Sequence, residues 1–478
     1  LRELDTDQWT AYMRLKSIPR GVCIVPGGAG AGKTRWSLLV AAMAQMRRPT
    51  KVLYLIDINK PLDDTASKMM RIYKDLGMKK NVIRMLKWPR ELEKNGIEQK
   101  IREVEAQNKE TEAGSEKSTK GKHEDEFRPP TLDEAACRHY MANKHTGKYS
   151  GVGYFLGIRE IVAHDPVLRF SQGPENFSYA MKNLYRDVLG EADFIATTPV
   201  AAFCHFDGMF KPDLVFLDEC GHARELSTLI PIAFFDPAAW FFVGDYRQTS
   251  PYVGCRDEEC DPLHMSMMER IAKSGPTPLI RTQLLTNHRA WGDLQRLASQ
   301  LFYGGRMRSD RPDGENFPAS LRNLHEYFES FRTEQDFQAE RSRVPRFVVH
   351  AGGREEEVCR SFWNPTHHQW VMNCVMQLLH APWFLQTDGS AKGTILIVSP
   401  YREGADKYKA AVEAIEPPEM RERVQARTVG TVQGAEADVV FVDMAKQRAS
   451  PHTNDPKRLC VALTRAKQAE IIMMSERM

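Results

Sequence analysis

Short apolar runs recur along the chain and are separated by longer amphipathic or polar stretches. In the first half, the runs lie at residues 22–25, 51–56, 213–217 and 240–243. In the second half, they lie at residues 346–350, 394–398, 438–443 and 470–474. Continuous apolar runs of this length are typical of strands that are buried in a parallel sheet. The pattern therefore predicts an α/β fold.

Two interruptions and a turn-rich stretch divide this pattern into units. Residues 63–190 break the strand–helix rhythm, and within them residues 91–128 are dense in Glu and Lys and poor in aromatic residues. Such a segment cannot bury enough apolar surface to order itself, which predicts a flexible insertion or a solvated helix. Residues 274–278, Ser-Gly-Pro-Thr-Pro, indicate an interdomain hinge. Residues 308–344 are polar and predict an irregular excursion.

Length and composition favour two or more globular domains inside the cell. The 478 residues exceed what one hydrophobic core usually organises. The net charge of +3 is too small to indicate nucleic acid by itself, so any basic surface must be local. Nine scattered cysteines favour a reducing compartment, the nucleus or the cytoplasm, over a disulfide framework. We find no membrane-spanning run and no signal peptide. Because the chain begins with Leu1, we expect it to come from a longer protein.

The stretch after the first apolar run follows the pattern G-x-x-x-x-G-K-[ST], which is typical of loops that hold nucleotide phosphates. Its residues are Gly27, Gly28, Ala29, Gly30, Ala31, Gly32, Lys33 and Thr34. A glycine-rich turn can match by chance, but here residues 22–25 predict a strand before the loop and residues 36–46 predict a helix after it. Backbone amides and the helix N-terminus would surround the phosphates, Lys33 would reach the β- and γ-phosphates, and Thr34 would bind Mg²⁺. The sequence predicts a site for a nucleoside triphosphate.

An acidic pair and a glutamine follow two later strands of the same unit. Asp218 and Glu219 come directly after residues 213–217, and Gln248 follows residues 240–243. Because the carboxyl ends of parallel strands meet at one edge of a sheet, we expect these side chains beside the phosphates. There Asp218 would hold Mg²⁺ directly or through water, Glu219 would deprotonate the attacking water, and Gln248 would sense the γ-phosphate. The combination predicts hydrolysis of the nucleotide, not passive binding.

A group of cysteines and a histidine invites comparison with a zinc site. Cys255, Cys260 and His264 are closely spaced, but a structural zinc site usually has four ligands and we find no fourth. We therefore favour an ordinary cysteine-containing loop.

Four motifs of the second unit indicate what the nucleotide is used for. They are residues 284–289 (Leu-Leu-Thr-Asn-His-Arg), 399–402 (Ser-Pro-Tyr-Arg), 431–438 (Thr-Val-Gln-Gly-Ala-Glu-Ala-Asp) and 454–467, which contain Val-Ala-Leu-Thr-Arg-Ala-Lys. In this order, and behind the motifs of the first unit, they resemble the superfamily 1 helicases. The similarity is greatest to the nonsense-mediated-decay group, which includes senataxin, the immunoglobulin-mu-binding helicase and the nuclease-linked replication helicase. It extends from Gln8 to about Met474, and it implies two RecA-like P-loop NTPase lobes, at residues 1–275 and 276–478.

The resemblance also implies roles for individual residues. Gln8 would select ATP by reading the adenine edge, His288 would stack on the base, and Glu436 would lie near the nucleotide. Arg289 and Arg465 would reach across the cleft to the γ-phosphate, where they would stabilise charge on the transferring phosphoryl group as arginine fingers do. The single strand would contact Asn59, Pro199, Pro400, Thr428 and Thr431.

The chain also departs from the family pattern at several positions. Asp57 and Ile58 replace the usual Pro-Ser or Pro-Thr before Asn59, and an acid there should weaken binding of a phosphate backbone. The other departures are His222 for glutamine, His288 for tyrosine, Gly430 for an acidic residue and Gly404 for glutamine. The set expected to hydrolyse ATP is intact, whereas several strand-contact positions are changed.

The family implies an ATP-dependent helicase or translocase that moves 5′-to-3′ along a single strand, with RNA favoured over DNA. Two other interpretations stay open. One is a nucleic-acid-stimulated ATPase that remodels ribonucleoproteins without processive unwinding, and the other is an interaction scaffold in a silencing or decay complex. No residue indicates a contact to the 2′-OH that would distinguish RNA from DNA. Protein partners are expected to bind regions that flank this chain, and no membrane is expected to be involved.

Overall fold

Two parallel β-sheets organise the computed structural model of the protein. The structure describes residues 4–86, 127–149, 173–203, 208–253, 263–275, 277, 279–280, 282–311, 317–331 and 345–475. Residues 91–126, most of the segment predicted to be flexible, lie outside this set. We call the parts built on the two sheets the first lobe and the second lobe.

The sheet of the first lobe has six strands in the order β1-β6-β5-β2-β4-β3, all parallel. The strands are β1 (Val22–Pro26), β2 (Val52–Leu55), β3 (Val82–Arg84), β4 (Phe194–Thr197), β5 (Leu214–Leu217) and β6 (Ala239–Gly244). The apolar runs of the first half therefore form strands, as predicted. β3 lies within residues 63–190 and forms one edge of the sheet. Its three residues, Val-Ile-Arg, are too few to reveal a strand in the sequence.

The sheet of the second lobe has five parallel strands in the order β13-β12-β14-β15-β9. Here the strands are β9 (Arg346–His350), β12 (Ile395–Ser399), β13 (Val424–Thr428), β14 (Ala437–Asp443) and β15 (Ala466–Met474). Two smaller pairings join β7 (Thr286–Asn287) to β8 (Arg308–Ser309), and β10 (Glu356–Val358) to β11 (Ser361–Trp363). Parallel sheets flanked by helices confirm the α/β fold with two RecA-like lobes.

Helices cover the sheets and connect their strands. The helices of the first lobe are α1 (Thr6–Arg14), α2 (Lys33–Arg47), α3 (Asn59–Asp75), α4 (Leu132–Asn143), α5 (Gly173–Glu191), α6 (Pro199–Phe203), α7 (Glu225–Phe234) and α8 (Met267–Lys273). Those of the second lobe are α9 (Gln295–Phe302), α10 (Ala319–Glu329), α11 (Pro365–His380), α12 (Arg402–Glu413), α13 (Pro418–Arg421) and α14 (Pro456–Ala462). Single 3₁₀ turns lie at Pro19–Gly21 and Lys144–Thr146. Among the described helices, none combines the length and the apolar character that a membrane crossing requires.

Helix α10 corrects the expectation of an irregular excursion over residues 308–344. Its apolar side chains Leu321, Leu324 and Phe328 are spaced by three and four residues and are buried. Leu324 and Phe328 belong to the main core of the second lobe. The helical spacing was present in the sequence, but the surrounding polar residues concealed it. Residues 332–344 lie outside the described set.

The connection between the lobes begins as an extension of the first sheet. Leu279, Ile280 and Leu284 lie parallel to β1 on its outer side, where Ile24 N donates to Leu279 O at 3.1 Å and Leu284 N donates to Pro26 O at 2.9 Å. Gly28 N in turn donates to Leu284 O at 2.8 Å. The chain therefore stays attached to the first lobe as far as Leu284, beyond the predicted hinge at residues 274–278.

Candidate active site

The loop at residues 27–32 joins β1 to α2 and needs glycine at two positions. Gly30 and Gly32 have φ of +72° and +68°, values that residues with a side chain rarely adopt. A Cβ on Gly30 would lie 2.6 Å from Asn287 Nδ2, and one on Gly32 would lie 2.8 Å from Gln8 Nε2. The loop leads directly into the N-terminus of α2, so free amides and the positive end of the helix dipole meet there.

Lys33 and Thr34 start helix α2 and turn towards this loop and the sheet. Lys33 Nζ is buried and donates to the carbonyl oxygens of Gly27 and Gly28 at 3.2 and 3.0 Å. Thr34 Oγ1 donates to Asp218 Oδ2 at 2.6 Å, and Tyr54 OH donates to the same oxygen at 2.8 Å. A buried ammonium thus lies on the loop, beside a hydroxyl and a carboxylate that are the hard oxygen ligands Mg²⁺ prefers.

The acidic pair lies at the carboxyl end of β5, as predicted. Burial raises the pKa of Asp218, and the negative charge of Glu219 raises it further. Glu219 has φ of +52°, a left-handed conformation that costs about 1–3 kcal/mol for a residue with a side chain. Such strain is typical of functional positions, and here the carboxylate reaches the second lobe.

Glu219 contacts the second lobe through Gln433, a residue for which the sequence predicted no role. Its Nε2 donates to Glu219 Oε2 at 3.2 Å, and its Oε1 accepts a hydrogen bond from Thr249 Oγ1 at 2.5 Å. Gln433 lies within the motif at residues 431–438, which was the signal in the sequence. The residue therefore joins the acidic pair to the loop after β6.

A second contact between the two lobes joins Gln248 of the first lobe to Arg465 of the second. Gln248 Nε2 donates to Asp245 Oδ2 at 2.8 Å, and its Oε1 accepts from Arg465 Nη2 at 3.3 Å. Arg465 is only 2% exposed and also donates to Val461 O at 2.8 Å. Burial, together with the nearby charge of Arg289, lowers its pKa to about 10, so the guanidinium stays charged at neutral pH.

Arg289 lies at the same cleft but is held by a carboxylate of its own lobe. Its Nε donates to Glu436 Oε2 at 2.7 Å and its Nη1 donates to Thr464 O at 2.8 Å. Lys467 Nζ lies 2.9 Å from the other oxygen of Glu436. Burial alone would raise the pKa of Glu436, but Arg289 and Lys467 outweigh it and lower the pKa to about 2. Glu436 is therefore ionised and orients Arg289.

Gln8 and His288 are the residues expected to contact the adenine of ATP. They lie next to each other near the start of α2. Gln8 Nε2 donates to Ala31 O at 3.2 Å and lies 3.5 Å from His288 Nε2. His288 lies between two carboxylates, with Asp5 Oδ2 2.6 Å from Nε2 and Asp310 bonded to Nδ1. The hydrogen bond to Asp5 raises the pKa of His288, burial opposes this, and Asp310 raises it again. A ring with a carboxylate at each nitrogen carries a positive charge more readily than an ordinary histidine.

The free energy of unfolding is expected to fall as the pH rises through the folded-state pKa of His288. That pKa lies above the usual 6.5, so the folded protein holds the proton more tightly than the unfolded chain does. The resulting stabilisation is complete below about pH 6.5 and is lost as the pH passes the raised value. Melting temperatures of the wild type and His288→Gln, compared from about pH 6 to about pH 9, measure it. The difference should shrink as the pH rises, and Asp310→Asn should reproduce part of it; a difference that is constant with pH would contradict this.

The residues expected to contact the strand fall into two groups. Pro400, Thr428 and Thr431 line a groove of about 1330 Å³ between the lobes. We call it the inter-lobe groove; its walls are residues 249–253 of the first lobe and residues 360–362, 400–402 and 450–452 of the second. Asn59 and Pro199 do not line it: Asn59 Oδ1 accepts from Arg84 Nη2 at 3.1 Å, and Pro199 is buried at the start of α6.

The structure alters the interpretation of two departures from the family pattern. Asp57, expected to repel a phosphate backbone, is only 9% exposed at its side chain, and its Oδ2 lies 3.3 Å from Arg224 Nε. The carboxylate of Asp57 therefore neutralises the guanidinium of Arg224 by pairing with it. A Cβ on Gly404 would lie 2.6 Å from Ser399 Oγ, so a glutamine there requires the hydroxyl of Ser399 to move.

The zinc interpretation gains no support. Cys255 and Cys260 lie outside the described residues, whereas His264 lies within them. Among the described residues, no group of three or more His, Cys, Asp or Glu side chains is arranged to hold a metal ion.

Comparison with known proteins covers both lobes. Residues 3–254 and residues 263–477 each match a family model described as an AAA domain. An ATP-dependent helicase of Methanocaldococcus jannaschii, MJ0104, is 22% identical over 96% of this chain and 66% of its own length. Regulator of nonsense transcripts 1 of Dictyostelium discoideum is 25% identical over 63% of this chain and 21% of its own length. The mouse 5′-3′ DNA helicase ZGRF1 is 24% identical over 55% of this chain and 13% of its own length.

The chain thus spans less than two thirds of the length of each of these relatives. A solved complex of the arterivirus helicase nonstructural protein 10 with DNA is similar at 10% identity and a TM-score of 0.39, over 98% of this chain and 63% of that one. That score is too low for conclusions about function. The family model that matches residues 3–254 covers more than half of the chain, and the family model that matches residues 263–477 covers most of the remainder. The chain belongs to this AAA-domain family, among the superfamily 1 helicases of the nonsense-mediated-decay and senataxin-like group.

Proposed function

We propose that the protein is an ATP-dependent helicase or translocase on single-stranded nucleic acid that hydrolyses ATP between its two lobes. The observation that carries the proposal is the meeting of both lobes around the acidic pair and the phosphate loop. Gln433 bonds to Glu219 and Arg465 bonds to Gln248, so residues of the second lobe complete the site of the first. A site completed in this way links hydrolysis to the relative position of the lobes, which a motor requires.

In this proposal, the first lobe binds the nucleotide. The backbone of residues 27–32 and the ammonium of Lys33 bind the phosphates, and Gln8 binds the adenine together with His288 of the second lobe. Thr34 and Asp218 would hold Mg²⁺, which neutralises charge on the β- and γ-phosphates. Their oxygen atoms lie 2.6 Å apart and Asp218 is buried, so the pair fits a small hard cation.

The hydrolytic step would use groups from both lobes. Glu219 takes a proton from the attacking water, and Gln433 holds the carboxylate by its Oε2 so that Oε1 is left for the water. Gln248 positions the γ-phosphate, and Arg465 and Arg289 stabilise the charge on the transferring group. Arg289 stays oriented by Glu436, which in this structure contacts Arg289 and Lys467.

The strand would lie in the inter-lobe groove, against Pro400, Thr428 and Thr431. The resemblance to the family and the name of the mouse relative, a 5′-3′ DNA helicase, support movement in the 5′-to-3′ direction. The name of the Dictyostelium relative, which regulates nonsense transcripts, supports RNA as the strand. Because of this name and the resemblance to the family, RNA is our preferred substrate.

An ATPase that remodels ribonucleoproteins without processive unwinding is the second candidate. One contact favours it: Asp57 neutralises Arg224, which follows His222 of the inter-lobe groove by two residues, and this reduces the attraction for phosphates. The third candidate, an interaction scaffold, would need neither hydrolysis nor strand binding.

Two assays separate these candidates. Steady-state ATPase rates should be measured with ribose and deoxyribose homopolymers of equal length, and strand displacement with duplexes that carry a 5′ or a 3′ tail. A helicase unwinds the 5′-tailed duplex, a remodelling ATPase shows stimulated hydrolysis alone, and a scaffold shows neither activity. Stimulation by ribose polymers only would identify RNA as the substrate.

Replacing Asp57 with serine is expected to strengthen strand binding. Arg224 would lose its carboxylate partner and become available to a phosphate, which makes the slope of log K against log salt steeper, more negative by about 0.7. Fluorescence anisotropy of a labelled single strand, titrated at several salt concentrations, measures both quantities. Asp75→Ser is the matched control, because Asp75 is exposed at the far end of α3 and the charge change is the same. Equal gains in both variants would show a general charge effect and contradict the release of Arg224.

A further inference from the structure

The inter-lobe groove contains an exposed aromatic residue and several cations to which neither the sequence nor the family resemblance assigns a role. We infer that Tyr252 stacks on a base of the bound strand, while Arg360, Arg402 and Lys446 on the opposite wall bind its phosphates. This inference rests on the proposed function and names the residues through which the strand is held. The ligand is a single-stranded polynucleotide that is bound by stacking and charge, without reading of base edges.

The size of the inter-lobe groove favours a polymer over a small ligand. Its volume of about 1330 Å³ exceeds the range of about 300–1,000 Å³ that is typical of sites for one small molecule. Both lobes contribute to its lining, so a strand that crosses the groove touches Tyr252 on one side and the second lobe on the other.

Charge in the groove favours a polyanion. The lining includes Arg360, Arg402, Lys446, Lys457 and Arg458, and Asp455 is the one carboxylate among its described lining residues. Arg458 pairs with Asp455, and Lys457 and Arg402 pair with Glu269 and Asp406 outside the lining, so these three charges are partly balanced. The net charge of the whole chain is only +3, so this concentration of cations is local. A basic groove that follows a backbone is the usual electrostatic feature of proteins that bind single strands.

Tyr252 is the strongest candidate for base stacking. Its side chain is 82% exposed, the highest exposure among the large hydrophobic residues of the described chain. An aromatic ring left in water gains free energy when a flat apolar surface covers it, and every base offers such a face. Tyr252 follows Gln248 by four residues, so one short loop would contact both the γ-phosphate and the base.

The opposite wall is built on the β10–β11 hairpin. At its turn, Cys359 and Arg360 have φ of +48° and +62°, and Arg360 is exposed and lines the groove. Behind the turn, Lys446 Nζ lies 4.0 Å from the centre of the Phe362 ring, which fixes the direction of the ammonium. The side chain of Arg402 is 88% exposed. The hairpin and its neighbours thus present cations to the groove.

The test is fluorescence anisotropy with a labelled oligouridylate, measured without nucleotide at several salt concentrations. Tyr252→Ala should raise the Kd by about 5- to 150-fold, the effect typical of losing one stacked base, with an unchanged salt slope. Tyr252→Phe keeps the ring and should stay within about twofold of the wild type. Arg360→Ala should reduce the salt slope by about 0.7, whereas Arg421→Ala on α13 is the matched control and should leave it unchanged.

The outcomes separate this inference from the proposed function. If the wild type binds the oligonucleotide and Tyr252→Ala binds it equally well, the stacking role is wrong and the proposed function stands. If Tyr252→Ala changes the salt slope, or if Tyr252→Phe is as weak as Tyr252→Ala, stacking is also overturned. If the wild type does not bind, the proposed function fails and this inference fails with it. The melting temperature should be unchanged in Tyr252→Ala, because the residue is 82% exposed.

Discussion

Glu219→Gln is expected to lower the rate of ATP hydrolysis by about 10²–10⁴-fold, because it removes the general base. ATP binding should persist, since the loop at residues 27–32, Lys33 and the Thr34–Asp218 pair are untouched. The glutamine side chain has nearly the same shape as glutamate, and its amide oxygen can still accept the hydrogen bond from Gln433. The variant should therefore separate binding from chemistry.

Single-turnover hydrolysis and binding of a fluorescent ATP analogue measure the two effects separately. Lys33→Ala is the companion variant: it removes the buried ammonium of the phosphate loop, so it should lose both turnover and tight binding. Near-normal turnover in Glu219→Gln would mean that another group accepts the proton, and the assignment of Glu219 would be abandoned.

Arg465→Ala is expected to lower turnover by about 10³-fold or more, the effect typical of losing an arginine finger. Binding of a single strand without nucleotide should stay nearly unchanged. The reason is its position: Arg465 is 2% exposed, donates to Gln248 across the cleft, and does not line the inter-lobe groove. A lost phosphate contact on the strand would have a much smaller effect on the rate.

The burial of Arg465 requires a second variant. Removing the side chain also breaks its hydrogen bond to Val461 O and leaves a cavity, so Arg465→Ala can lower stability. Arg465→Lys keeps a positive charge but not the planar donor geometry, and should also lose most of the turnover while keeping a melting temperature near that of the wild type. Weakened strand binding with preserved hydrolysis in both variants would make Arg465 a contact to the strand backbone.

Local sequence patterns were sufficient to predict the main elements of both lobes. The glycine loop, the acidic pair after β5 and Gln248 after β6 lie at the ends of apolar runs, and the geometry of a parallel sheet then brings those ends to one edge. In the two main sheets, strands β3, β4 and β13 did not correspond to a predicted run. β3 has only three residues, and β13 is an edge strand whose alternating exposure removes the continuous apolar signal.

Contacts between distant parts of the chain could not be predicted in this way. Gln433 meets Glu219 across more than two hundred positions, and Asp57 meets Arg224. The two carboxylates around His288 come from residues before α1 and after β8. Each of these pairs depends on how the lobes and loops pack, and no local pattern of apolar and polar residues encodes that. The charged partners set the pKa of His288 and neutralise Arg224. The sequence therefore predicts which residues form the site more readily than it predicts their charges and pKa values.

The attachment of Leu279, Ile280 and Leu284 to β1 determines where the molecule can pivot. Rotation of the second lobe must be accommodated after Leu284, in a few residues that include Asn287, whose Nδ2 donates to Ala29 O at 2.7 Å. The pivot therefore touches the phosphate loop. Under the proposed function, a rotation that separates Arg465 from Gln248 would also move residues 360–362 relative to residues 249–253, so one hinge would serve both the nucleotide and the strand.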